Sequence, residues 1–185
     1  IPELILTHAE EGSVNTCSAI YRYDSTRSSF VKFKAFSKQI CNYTVKDSHI
    51  ISSYRSGAKW HEDIYAIESG NPVLKFTDSC VGCDYIERTI HLQEDKVEHL
   101  LVTNDSNHNQ RVPLSTVVTS PKATLYKAPS FDQATTMYLV TGDKVILTDF
   151  TETESNSFWY KIKYVTAKEK VITAWISCND LDICK

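Results

Sequence analysis

Apolar and polar side chains alternate with a period of two along much of the chain. In Phe30-Val31-Lys32-Phe33-Lys34-Ala35-Phe36 the charges fall on every second residue, and Ile86-Glu87-Arg88-Thr89-Ile90-His91-Leu92 repeats the pattern. Successive side chains of an extended strand point to opposite faces, so this period predicts strands with one buried face. Residues 14–23, 29–36, 63–67, 73–76, 85–92 and 99–102 are rich in β-branched and aromatic residues and read the same way. Glu68-Ser69-Gly70-Asn71-Pro72 has the chemistry of a turn between two of them. No long stretch carries helical periodicity, and Asp182 near the end suits a short turn. The expected fold class is all-β.

Thr103-Asn104-Asp105-Ser106-Asn107-His108-Asn109-Gln110-Arg111 interrupts the pattern with nine polar residues or threonines in a row, and Pro113 follows. This is loop or linker composition. It predicts a β-sheet domain over 1–112 and a second domain over 113–185; one continuous β domain with a long loop is the alternative. The second segment holds about five short strands in roughly 70 residues, which suits a small barrel. Along Phe158-Trp159-Tyr160-Lys161-Ile162-Lys163-Tyr164-Val165, alternation groups Phe158, Tyr160, Ile162 and Tyr164 on one face. It therefore predicts Tyr160 buried and Trp159 turned outward.

Residues 117–183 resemble the bacterial Src-homology-3-like (SH3-like) domain. The resemblance rests on four pieces in the family's order: Leu125-Tyr126-Lys127-Ala128-Pro129, Gly142-Asp143-Lys144-Val145, Trp159-Tyr160-Lys161-Ile162, and Ala174-Trp175-Ile176 with Asp180-Leu181. Ala174 departs from the glycine often found before the late tryptophan. The resemblance implies an SH3-like barrel in an exported bacterial module that binds peptidoglycan or protein and is not an enzyme. Tyr126, Trp159 and Trp175 are then groove candidates, because aromatic faces suit sugar rings, prolines and peptide stems. A barrel core is the competing use for them.

Composition narrows the function classes. The chain has 185 residues, 42% of them hydrophobic, enough for a real core. Its formal net charge of -3 lacks the basic excess of a dedicated nucleic-acid binder. No apolar run approaches the ~18–20 residues of a membrane-spanning helix. The chain starts at Ile1 without a charged and apolar leader, so a signal peptide is expected to have been removed. Six cysteines form an even set, which suggests disulfides and an oxidising compartment, periplasmic or secreted. Spacing alone leaves fifteen connectivities open. Local pairing, Cys17–Cys41, Cys80–Cys83 and Cys178–Cys184, is the expected set.

Most catalytic constellations are incomplete. His61-Glu62 would need a second histidine four residues after the first to hold zinc on a helix face, and Tyr65 stands there. Cys80-Val81-Gly82-Cys83 lacks the following helix that lowers a thiolate pKa, and Asp84 replaces the histidine of a haem attachment motif. Asp105, Asn107 and Asn109 mimic the first ligands of a calcium loop, but Gln110 and Thr116 stand where that loop needs glycine and a bidentate acid. No nucleophile elbow and no phosphate-cradling loop is present. Neither cofactor nor metal is expected. Asn42-Tyr43-Thr44 and Asn104-Asp105-Ser106 match the glycosylation sequon, and in a bacterial protein they are surface polar residues.

The first segment faintly resembles periplasmic lysozyme inhibitors and immunity proteins against cell-wall-degrading effectors. Some of these carry a Ser-Gly-x-x-Tyr loop that enters the target's active site; here Ser56-Gly57-Ala58-Lys59-Trp60 places tryptophan at the tyrosine. The resemblance implies that Ser56, Gly57, Lys59, Trp60 and His61 contact a protein partner, with Trp60 as anchor. A plain β-turn whose tryptophan packs on the sheet is the alternative. The expected function is a non-enzymatic binding protein of the bacterial envelope, an inhibitor or immunity protein. The competing expectations are a wall-binding module holding peptidoglycan and, last, a hydrolase domain in 1–112.

Overall fold

The computed structural model describes residues 3–9, 12–34, 36, 38–93, 95–154 and 157–184. The fold is all-β, with antiparallel sheets and only short 3₁₀ turns among the described residues. Two compact units emerge, one ending at Glu98 and one beginning at His99. Among the described residues no helix is long and apolar enough to cross a membrane.

Unit 1 contains two sheets. In the first, β1 (Glu3–Ala9), β2 (Thr16–Asp24) and β3 (Ser29–Lys32) lie side by side, and the two-residue β4 (Ile40–Cys41) also pairs with β2. Of the strand expected over 29–36 only Ser29–Lys32 is strand, and Ala35 lies outside the described residues. The second sheet runs β9 (Tyr85–His91), β8 (Asn71–Ser79), β7 (Lys59–Glu68), β6 (His49–Ser56), β5 (Thr44–Lys46). Its turns follow from their residues. Asp47-Ser48 and Ser69-Gly70 both have positive φ at their two central positions, as a two-residue hairpin with the right twist requires.

In unit 1, Ile64 of β7 and Ile86 of β9 are fully buried. Phe36, Ile40 and Tyr65 form a buried cluster, with Ile20, Phe33, Ile50 and Leu74 packed against them. The Phe36 and Tyr65 rings meet edge to face at 5.1 Å, and the Arg22 guanidinium sits 3.5 Å over Phe33. Polar joints supplement it. Cys17–Cys41 ties β2 to β4, and the Cys41 N–H donates to Ser52 Oγ of β6 at 2.8 Å. Asn42 accepts from Thr16 N–H and donates to the Val14 and Ser53 carbonyls, so this sequon asparagine is committed to main-chain joints.

β10 (Val97–Thr103) carries the division between the units, earlier in the chain than the 112/113 boundary expected from the polar stretch. The physical reason is that the stretch is folded. Asp105 and Asn107 accept from the N–H groups two residues ahead, Arg111 Nε donates to the Asp105 carbonyl, and His108 and Arg111 are buried. The calcium-like residues thus cap turns. Thr103 N–H then donates to Val112, and Leu114 N–H to Leu101, before β11 (Ser115–Val117).

The remaining strands are β12 (Ala123–Tyr126), β13 (Ala134–Leu139), β14 (Lys144–Glu152), β15 (Phe158–Val165) and β16 (Val171–Ser177), in sheet order β11-β14-β15-β16-β12-β13. Val118, Leu125, Val145, Leu147, Ile162, Ile176 and Leu181 are fully buried and form a dense aliphatic core. The other two disulfides, Cys80–Cys83 and Cys178–Cys184, close short local loops.

Candidate functional site

β6 and β7 meet in a two-residue turn, Gly57-Ala58, closed by the pair Ser56 and Lys59. Gly57 has φ +59°, the left-handed region that a first turn position of this kind demands. The segment expected as a loop is therefore the tip of a hairpin. All of residues 55–60 are exposed, and Trp60 keeps 38% of its surface open to solvent.

Two contacts from outside the hairpin fix this tip. The Asn15 side chain accepts from Arg55 N–H at 2.8 Å and donates to the Arg55 carbonyl at 2.9 Å. On the other strand, the Trp60 carbonyl accepts from Val81 N–H at 3.0 Å. Val81 lies inside the Cys80–Cys83 disulfide loop, which is drawn tight by Cys83 N–H donating to the Cys80 carbonyl. Arg55 and Trp60 are a cross-strand pair, so both outward main-chain edges of that pair are held. The tip presents Arg55, Lys59 and the Trp60 indole on a fixed main chain.

Lys59 Nζ reaches Glu87 Oε1 of β9 at 2.9 Å, and both side chains are well exposed. Such a pair is weak and can be exchanged for a partner's carboxylate. His61 stacks on Tyr54 at 5.2 Å and 13°. Burial holds the imidazole pKa below its ordinary value; nearby Asp63 works against that, while Lys59 and Lys38 reinforce it. Behind the stack lies Asp63, 3% exposed. It accepts from Thr77 Oγ1 at 2.9 Å and has Lys38 Nζ at 3.7 Å. Since the Thr77 hydroxyl donates to Asp63, its oxygen accepts from His91 Nε2 at 3.0 Å. The Asp78 carboxylate and Arg88 make a buried two-bond pair at 2.6–2.7 Å, with Arg88 4.5 Å over Phe76. These polar groups anchor β7, β8 and β9 beneath the tip. Among the described residues no group of three or more His, Cys, Asp and Glu side chains is placed to hold a metal ion.

The structure thus brings Ser56, Gly57, Lys59 and Trp60 together at one end of a hairpin, with Lys59 and His61 on the opposite face of β7 from Trp60. Asn15, Arg55 and Val81 were missed by sequence reasoning. Arg55 was findable once a hairpin at Gly57 put it opposite Trp60. Asn15 is 40 residues from Arg55, and no local pattern announces it.

In unit 2, register puts Tyr126 beside Trp175, and Trp175 beside Lys161, two residues from Trp159. The three groove candidates share a sheet face. Trp159 is nevertheless 1% exposed, which corrects the expectation that it points into solvent. The alternation assigns its face correctly, opposite Ile162. What the pattern omits is the 3₁₀ turn Phe131–Gln133. The Phe131 ring lies 4.8 Å from that of Trp159 and 5.9 Å from that of Tyr126, and Tyr126 meets Trp159 at 4.9 Å. Phe131 itself is 60% exposed. The accessible aromatic of this cluster is thus Phe131, a residue that sequence reasoning passed over in a polar turn. Trp175 is half-buried. No family model, no curated protein and no solved structure matches the chain.

Proposed function

We propose that this chain is an exported, non-enzymatic binding protein of the bacterial cell envelope that inhibits, or gives immunity against, a cell-wall-degrading enzyme by presenting the β6–β7 tip to the enzyme's cleft. The observation that carries the reading is the braced tip. A half-exposed tryptophan stands opposite Arg55 and next in the chain to Lys59, on a main chain held by Asn15 on one side and by the Cys80–Cys83 loop on the other. Preorganisation removes the entropy cost of ordering a loop on binding. Tryptophan and arginine are the side chains that most often dominate protein interfaces. Arg55 and Lys59 suit a cleft lined by the carboxylates of glycoside hydrolysis. The three disulfides are compatible with an extracellular or periplasmic location.

The exposed Phe131 on its Tyr126–Trp159 base favours a second reading, a module that holds peptidoglycan through unit 2. A pulldown from envelope extract, with purified peptidoglycan sacculi in parallel, separates the two. The first reading predicts recovery of one cell-wall hydrolase, lost with Trp60→Ala and weakened by Lys59→Glu. Retention on sacculi that survives Trp60→Ala and disappears with Phe131→Ala would replace it with the second.

A further inference from the structure

The outer face of unit 2 carries a groove that neither reading uses. Val145, Leu147 and Ile162 point into the core, so Lys144, Ile146, Lys163 and Val165 point away from it. Register sets Ser115 beside Ile146, Ile146 beside Lys163, Val117 beside Lys144 and Val165 beside Val171. Together with Pro113, the residues Ser115, Lys144, Ile146, Lys163 and Val165 line a groove of about 310 Å³.

The groove has an aliphatic floor and cationic walls. Val117, Val165 and Val171 remain substantially exposed beside Ile146. Neither Lys144 nor Lys163 belongs to an ion pair among the described residues. Lys161 lies on the same face as Lys163, and Lys168 and Lys170 follow in the β15–β16 turn. Glu169 stands between Lys168 and Lys170 in that turn, while Glu152 and Glu154 lie at the opposite end of β15, where Glu152 of β14 pairs with Phe158. The neighbouring Asp143 accepts from Val140 N–H and from the Tyr164 hydroxyl. Lys144, Lys163, Lys168 and Lys170 thus outnumber Asp143 and Glu169 at this end, which leaves the groove with a net positive field.

We infer that this groove binds an extended acidic peptide segment bearing aliphatic side chains. The cations call for carboxylates, and lysine's flexible stem tolerates their exact spacing. Exposed apolar surface of this kind marks an interaction site. It gains from an aliphatic ligand and nothing from a purely polar polyanion. The concavity accommodates a few residues of chain, whereas a lipid surface is flat. The inference stands independently of the hairpin tip.

The test uses the full chain and titrates it, by NMR or calorimetry, with an acetylated peptide of alternating glutamate and valine. A lysine–valine counterpart and phosphatidylglycerol vesicles are run alongside. The glutamate peptide should bind, weaken as salt rises, and weaken roughly tenfold with Lys144→Glu plus Lys163→Glu. Lys127→Glu, outside the groove, should leave binding unchanged. Both lysines are surface side chains, so an unchanged melting curve certifies the double variant. Equal binding of both peptides, wild-type affinity in the double variant, or binding to vesicles without binding to the peptide would overturn the inference.

Discussion

The two units are held together differently. Unit 2 buries an almost wholly aliphatic set, Val118, Leu125, Val145, Leu147, Ile162, Ile176 and Leu181, with Trp159 sealed on the other sheet face. Unit 1 buries Phe36, Ile40, Ile64, Tyr65 and Ile86 and adds polar and covalent joints to them. Cys17–Cys41, the bond from Cys41 N–H to Ser52 and the Asn42 clamp each fix main chain, and the buried Asp78–Arg88 pair joins β8 to β9. The difference bears on function. At the exposed β6–β7 tip, main-chain position is set by the directional bonds from Asn15 and Val81. Unit 2 draws its stability chiefly from that aliphatic burial.

The comparison breaks first at Trp159. If unit 2 depends on burial, Trp159→Ala should cost about 3–5 kcal/mol, read as a fall in the denaturation midpoint. Hydrogen exchange should quicken in β14–β16 and stay protected in β6–β9. A loss below about 1 kcal/mol would mean that Tyr126 and Phe131 do not seal the indole.

Next comes the joint specific to unit 1. Replacing Cys17 and Cys41 by serine opens a loop with a sequence separation of 24 and should cost about 3 kcal/mol. The exchange response should be the mirror image, quick in β2 and β4 and unchanged in β14–β16. Equal quickening in both units would erase the distinction.

The alternating strands and the turn at Ser69-Gly70 were legible in the sequence, because a period of two and positive-φ residues are local signals. β6 was harder to see: Ile50 and Ile51 are adjacent and Ser52 and Ser53 follow, so no apolar period marks His49–Ser56. β1 also escaped, since its Leu4-Ile5-Leu6 run is apolar on both faces and all seven residues are exposed. At the candidate site, Gly57, Lys59 and Trp60 were legible as a tip. The bracing by Asn15 and Val81 was not, because side-chain clamps across long separations leave no periodicity. Trp159 shows the same limit from the other side. A strand pattern assigns a face, but only a tertiary cover such as the Phe131 turn decides whether that face is wet.

The smallest expected effect is electrostatic. His61 has its native pKa held below the ordinary 6.5 by burial. The unfolded chain therefore binds the proton more readily, and stability rises with pH in that window. This contribution is complete above about pH 6.5 and disappears as pH falls through the lowered native value. His61→Gln should thus lose less stability than wild type when the melting point is compared at pH 7.5 and 5.5. An identical loss in both would place His61 in an environment no drier than water.

The central claim is that the braced tip of unit 1, and not the aromatic cluster of unit 2, engages the target enzyme. The most direct measurement follows the clearing of a peptidoglycan suspension by a panel of muramidases while the chain, Trp60→Ala or Phe131→Ala is titrated in. The account predicts saturable inhibition of at least one enzyme, weakened roughly thirtyfold or more by Trp60→Ala, as removal of an anchor worth ≥2 kcal/mol implies, and unchanged by Phe131→Ala. Absence of inhibition across the panel, or inhibition lost with Phe131→Ala and kept with Trp60→Ala, would contradict it.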